Sequence, residues 1–222
     1  MGKTWLVRNL ASTARLELVE LNFERDPLAA ELFRSNDPRQ ILKDLELHLG
    51  RRILTDNALL FLDEIQAAPQ LLAKLRWFFE ELPSLPVIAA GSLLDFALSE
   101  HTFSMPVGRI RYLYLEPLSF EEFLIANDQA LLADQITTIG VPPHPGTTSH
   151  LHQRLMELYR AYLLVGGMPE AVAAWRDEKS FMACAAIHQA LLDTYRDDFS
   201  KYAGRIPHHR IARVFESVPR LL

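Results

Sequence analysis

The chain of 222 residues has a single cysteine, Cys184, so no intrachain disulfide can form. A lone thiol fits a reducing compartment, and a cytoplasmic location is expected. No apolar run reaches the roughly 18 to 20 residues needed to cross a bilayer, and no membrane partner is expected. The opening residues Met1 to Arg8 do not read as a signal peptide, because Lys3 and Arg8 interrupt any apolar stretch. Positive charge is also scarce: 23 Lys and Arg face 28 Asp and Glu, a net charge of −5. That excludes a globally basic nucleic-acid binder while leaving room for a local basic patch. The eight histidines show no metal-ligand spacing, and with one cysteine a zinc site is not expected. There is no internal repeat and no low-complexity tract. What the chain does have is 49% hydrophobic residues, enough for a real core in one large domain or two smaller ones.

The hydrophobic pattern divides the chain. Trp5 to Ala11 reads as an amphipathic helix, with Leu6, Val7, Leu10 and Ala11 at helical spacing. Leu16 to Phe23 alternates weakly, as a strand does. Leu28 to Phe33 and Pro38 to Leu49 read as helices, the second opened by Asp37 as N-cap and Pro38 in the first turn. Ala58 to Leu62 is a short continuous apolar run ending in Asp63-Glu64, the signature of a fully buried parallel strand. Leu71 to Leu82 predicts another helix, Pro86 to Ala90 a second buried strand, Ile110 to Leu115 a third, and Phe120 to Ala126 a short helix. Strands alternating with helices imply a parallel sheet covered on both faces. From Ile136 to Ser149 the sequence turns rich in Pro, Gly and Thr, the best linker candidate. Beyond it, Leu151 to Leu164, Ala171 to Arg176, Ser180 to Tyr202 and a stretch from Pro207 all read as helix. The expected division is an α/β domain over residues 1–130, a linker over 131–150 and a helical domain over 151–222.

Three local features carry chemistry. Gly2-Lys3-Thr4 ahead of a helix is the back half of G-x-x-x-x-G-K-[ST]. In that setting Gly2 lets backbone approach a phosphate, Lys3 supplies a point charge to the β and γ phosphates, and the Thr4 hydroxyl ligates Mg²⁺. An arbitrary N-terminus would explain the tripeptide equally well if it stood by itself. The buried run ending in Asp63-Glu64 is a Walker B pattern, with Asp63 in the metal shell and Glu64 handling the attacking water. Its plainer alternative is a strand that leaves into a solvated acidic turn. Ser92 follows the next buried run and is placed as a polar sensor of the γ phosphate, or as the N-cap of a helix beginning at Leu93. Arg109 and Arg111 follow; Arg109 would stabilise charge on the γ phosphate or pair with a surface carboxylate.

Taken in order, these features resemble the prokaryotic AAA-type ATPases that join a nucleotide-binding domain to a C-terminal domain of unknown function. The resemblance rests on Gly2-Lys3-Thr4, on Leu59 to Gln66, on Ala90-Gly91-Ser92 and on Gly108-Arg109. It continues through Pro117-Leu118-Ser119-Phe120-Glu121-Glu122-Phe123 and Gly166-Gly167-Met168-Pro169-Glu170. It implies a RecA-like sheet, binding of ATP with Mg²⁺, and hydrolysis coupled to conformational change. A homo-oligomer and an unidentified protein partner are further expectations. Members of that family carry a first strand and the front half of the loop before the position of Gly2. They also continue beyond the position of Val218-Pro219. The chain is therefore expected to be truncated at both ends, to lack a central strand, to bind ATP poorly and to show no useful hydrolysis. Two other readings stay open: a nucleotide-dependent interaction switch with negligible turnover, and a regulator that contacts DNA. The second would use Lys201, Arg205, Arg210, Arg213 and Arg220, which face only Glu216 in the tail.

Overall fold

The computed structural model describes residues 2–91, 108–138, 149–199 and 207–221. Contacts divide the chain into two compact units, Met1–Leu115 and Glu116–Leu222.

The first unit is α/β. It runs α1 (Lys3–Ala14), β1 (Glu17–Asn22), a 3₁₀ segment (Pro27–Phe33), α2 (Pro38–Leu49), β2 (Ala58–Asp63), two more 3₁₀ segments (Ile65–Ala67 and Pro69–Lys74), α3 (Leu75–Glu81) and β3 (Val87–Ala89). The strands are parallel in the order β1-β2-β3, with Asn22 opposite Asp63 and Leu62 opposite Ala89. No break separates the three strands, and β2 is bonded on both sides. Three parallel strands with helices packed on them are consistent with an AAA-type P-loop domain.

The period of two along each strand sorts its side chains between two cores. Ala58, Leu60 and Leu62 of β2 join Val19, Leu21, Phe33, Ile41, Leu45, Leu72 and Phe78 on one face. Leu59 and Phe61 join Val7, Ala11 and Ala90 under α1 on the other. Every residue of β2 is buried, which is why its sequence is apolar without alternation up to Asp63. Helix α2 begins where Asp37 accepts a bond from the Arg39 amide at 2.8 Å, with Pro38 in its first turn, and ends at Gly50 with φ 67°.

Several expected elements differ. Leu28 to Phe33 forms a 3₁₀ segment rather than an α-helix. The helix expected over Leu71 to Leu82 is split into a 3₁₀ part (Pro69–Lys74) that buries Leu71 and Leu72 and an α-helical part (Leu75–Glu81) that buries Phe78. Strand β3 is half-buried rather than fully buried, since it pairs only with β2 among the described residues. The strand expected over Ile110 to Leu115 does not form: these residues are neither helix nor strand, and Leu113 is 84% exposed. Its aromatic and branched residues suit a pleated surface, but strand structure also needs a bonded neighbour.

The second unit is helical: α4 (Phe120–Ala126), α5 (Ala130–Thr138), α6 (Ser149–Val165), α7 (Pro169–Glu178), α8 (Phe181–Asp198) and α9 (His208–Leu221). The hydrophobic pattern groups Phe120 to Ala126 with the first domain, whereas α4 packs here. Helix α5 also extends into the region expected as linker; residues 139–148, with Pro142-Pro143 and Pro145-Gly146, lie outside the described residues. A full capping box opens α4, with Ser119 accepting from the Glu122 amide and Glu122 accepting from the Ser119 amide.

The strings Pro117 to Phe123 and Gly166 to Glu170, on which the resemblance partly rests, meet in this unit. Leu118 donates its amide to the Gly167 carbonyl at 2.8 Å, and the Tyr162 hydroxyl donates to the Leu118 carbonyl at 2.8 Å. Gly166 closes α6 with φ 67°, in the left-handed region that favours glycine. Gly167 is constrained by space instead: a Cβ there would run into the Leu118 backbone. Pro169 then starts α7 at the position where a missing amide costs nothing. Around this contact Phe123, Val165, Ala171, Val172 and Cys184 form the core. Burial pushes the Cys184 thiol up from its ordinary pKa, and its Sγ lies 3.4 Å from the Ala171 carbonyl oxygen.

Cys184 therefore reports on this core. In the native protein it should react with a thiol-specific disulfide reagent far more slowly than in urea, because it is both buried and protonated. Gly167→Ala should force the Leu118 backbone aside at a cost of about 1–3 kcal/mol and expose the thiol to the reagent measurably faster. Equal labelling rates in Gly167→Ala and parent would refute the packing account.

Candidate functional site

The C-terminal ends of the three parallel strands lie side by side, the place where open α/β sheets bind ligands. Asn22 ends β1, Asp63 ends β2, and Ala90-Gly91 follows β3. Backbone bonds fix their levels: Phe23 donates to the Asp63 carbonyl at 3.1 Å, Ala90 to Leu62 at 2.9 Å, and Ile65 to Ala90 at 3.0 Å.

The start of α1 faces this edge. Gly2 precedes the helix with φ 71°, a conformation costly to any residue with a Cβ, and has no side chain with which to cap the first amides. Thr4 donates its hydroxyl to Asp63 Oδ2 at 3.1 Å, and Lys3 donates Nζ to the Gly91 carbonyl at 3.1 Å. Asn22 donates its side-chain amide to the same Asp63 oxygen at 3.3 Å. Asp63 is only 4% exposed, so these donors answer a carboxylate that burial would otherwise penalise. Asn22 also shapes the turn out of β1, where its Oδ1 accepts the amides of Glu24 and Arg25.

Glu64 follows directly with φ 51° and ψ 46°, the left-handed region that a non-glycine residue enters at a cost of about 1–2 kcal/mol. This turn stops β2 and swings the Glu64 side chain onto Gln66, whose Nε2 lies 2.5 Å from Glu64 Oε2 and 3.1 Å from Glu24 Oε1.

Of the residues singled out in the sequence, Gly2, Lys3, Thr4, Asp63 and Glu64 thus share one sheet edge. Ser92 lies outside the described residues. Arg109 is placed with α3, donating Nε to Glu80 Oε1 at 3.1 Å. Burial pushes the Glu80 carboxyl up, but the bonds and charge of Arg76 and Arg109 outweigh it and hold the group below the usual carboxylate range. In the tail, Lys201 and Arg205 lie outside the described residues, while Arg210 and Arg213 are exposed on α9. Sequence reasoning does not single out Asn22 or Gln66. The pairing of Asn22 with Asp63 is a matter of register, and the contact of Gln66 depends on the left-handed turn at Glu64.

The donor set suits Mg²⁺ with a phosphate chain. Among the described residues no three or more His, Cys, Asp and Glu converge as a metal cluster. Mg²⁺ does not need one, because it keeps several waters and takes one or two protein oxygens together with phosphate. Neighbouring ligands in an octahedron of about 2.1 Å radius lie about 3.0 Å apart, and Thr4 Oγ1 and Asp63 Oδ2 are 3.1 Å apart. Lys3 occupies a carbonyl acceptor on a flexible stem and can exchange it for a phosphate oxygen. Elsewhere, an open groove of about 380 Å³ in the second unit, lined by Glu170, Ile187, Ala190, Leu191 and Thr194, holds no comparable group of donors.

A family model for an AAA domain matches residues 1–124, and one for a domain of unknown function (DUF8612) matches residues 156–222. No curated protein and no solved structure matches the chain. Among the described residues no helix is long and apolar enough to cross a membrane. With more than half of its 222 residues matched by the first model and the strand-end geometry in agreement, the chain belongs to the AAA domain family.

Proposed function

We propose, against the expectation of poor binding and no useful hydrolysis, that the first unit binds ATP with Mg²⁺ at the strand ends and hydrolyses it, the energy serving a conformational change. The observation that carries this reading is the bond from Thr4 to the buried Asp63, made beside Lys3 at the uncapped start of α1. The same reading takes the sheet as RecA-like. Its support is the contiguous order β1-β2-β3, in which the strand ending in Asp63-Glu64 lies beside the one leading to Gly91.

Each residue has a role set by its chemistry. The amides of the first turn of α1 and the Lys3 ammonium hold the phosphates. Thr4 and Asp63 hold the metal, directly or through its waters. Bound there, Mg²⁺ supplies charge neutralisation on the phosphate oxygens. Glu64, which follows Asp63 directly in a left-handed turn, takes the proton of the attacking water. The carboxylate of Glu64 favours hydrolysis over a switch with negligible turnover, which would need only Lys3, Thr4 and Asp63.

Calorimetric titration with Mg²⁺ and ATP into the millimolar range should show saturable binding. Lys3→Ala should weaken it by about 1.5–3 kcal/mol, roughly 10- to 150-fold in Kd. Unchanged affinity would make Gly2-Lys3-Thr4 a coincidence and end the nucleotide reading. Glu64→Gln should keep the affinity and lower single-turnover hydrolysis by roughly 10²- to 10⁴-fold. Equal hydrolysis in Glu64→Gln and parent would remove Glu64 from the mechanism.

A further inference from the structure

Resting on the hydrolytic reading above, we infer that Gln66 is the positioning residue for Glu64, and that Gly91 must be glycine because the Gln66 amide fills the space a side chain would need.

The side-chain amide of Gln66 is held by two carboxylates. Its Nε2 is 2.5 Å from Glu64 Oε2 and 3.1 Å from Glu24 Oε1. This fixes which end of the amide is nitrogen, because an oxygen in the same place would meet two acceptors and no donor. The opposite end is unusual. Gln66 Oε1 is buried and has no hydrogen-bond partner among the described residues. A buried orphan acceptor is costly, and such groups are few in a folded protein. The amide is held in that unfavourable place by what its nitrogen does, which is to tie down Glu64.

Gly91 presses on the same group. A Cβ at position 91 would overlap Gln66 Oε1, while Ile65 Cγ2 would be at an ordinary 3.4 Å. The φ of Gly91 is not in the left-handed region, so conformation does not demand glycine there; space does. The obstructing atom is the far end of a flexible side chain, so an alanine would push the amide away without disturbing the sheet. The carbonyl of Gly91 also accepts the Lys3 ammonium. Gln66 therefore lies between the lysine-bearing edge of the site and the carboxylate that handles water. Its bonds go to the Glu64 and Glu24 carboxylates, so it acts through Glu64.

Two substitutions reach this contact from opposite sides. Gln66→Met keeps the length and removes the donor, and Gly91→Ala keeps the donor and displaces it. Each should lower the single-turnover rate at saturating Mg²⁺ and ATP by roughly 10- to 100-fold, the usual effect of removing an outer-shell partner. The calorimetric Kd should stay within about threefold of the parent, since Lys3, Thr4 and Asp63 are untouched. The double variant should be no slower than the slower single variant, because both remove one contact. A purely structural role for Gln66 would move the melting temperature without separating rate from affinity. Rates equal to the parent in Gln66→Met, or losses that multiply in the double variant, would overturn the assignment while leaving the hydrolytic reading intact. A parent that binds Mg²⁺ and ATP but does not hydrolyse would overturn the hydrolytic reading, and this role with it.

Discussion

One hydrogen bond, from the Thr4 hydroxyl to the Asp63 carboxylate, joins the first turn of α1 to the end of β2, and the candidate site is arranged around it. The bond can be specific because its acceptor cannot wander. Asp63 ends a strand whose six residues are all buried, paired to β1 on one side and β3 on the other. Its donor is equally constrained: Val7 and Ala11 seat α1 on Leu59, Phe61 and Ala90. A carboxylate at 4% exposure needs partners, and among the described residues Thr4 and Asn22 supply side-chain bonds to it. The Thr4 hydroxyl stands where a divalent cation could accept it and the carboxylate together.

Much of this was legible in the residues, for identifiable reasons. β2 could be read from the apolar run Ala58 to Leu62 because both of its faces are covered, so burial left no polar position before Asp63. Helix α2 could be read at its start, from Asp37-Pro38, since caps are local chemistry. Lys3, Thr4, Asp63 and Glu64 could be grouped because their motifs occur in a set order on a helix start and a strand end.

What could not be read depended on partners far away in sequence. The stretch Ile110 to Leu115 is rich in residues that favour strands, yet composition says nothing about whether a neighbour is there to bond, and these residues are without strand structure. Asn22 looks like any strand-ending residue until register sets it opposite Asp63. Gln66 lies within the Walker B string without a role, which comes only from the left-handed turn at Glu64 and the nearness of Gly91. The two glycines Gly91 and Gly167 show the same limit: both are required by a neighbour's atoms rather than by their own dihedral angles. Arg109, a candidate charge stabiliser in the sequence, stands beside Glu80.

The central claim is that Asp63 and Thr4 form half of a metal site completed by a nucleotide. Electron paramagnetic resonance of protein-bound Mn²⁺ in place of Mg²⁺ tests this most directly. The account predicts Mn²⁺ binding to the protein that strengthens when ATP is added and is lost in Asp63→Ala with ATP present. Mn²⁺ binding that ignores ATP, or that persists unchanged in Asp63→Ala, would contradict it.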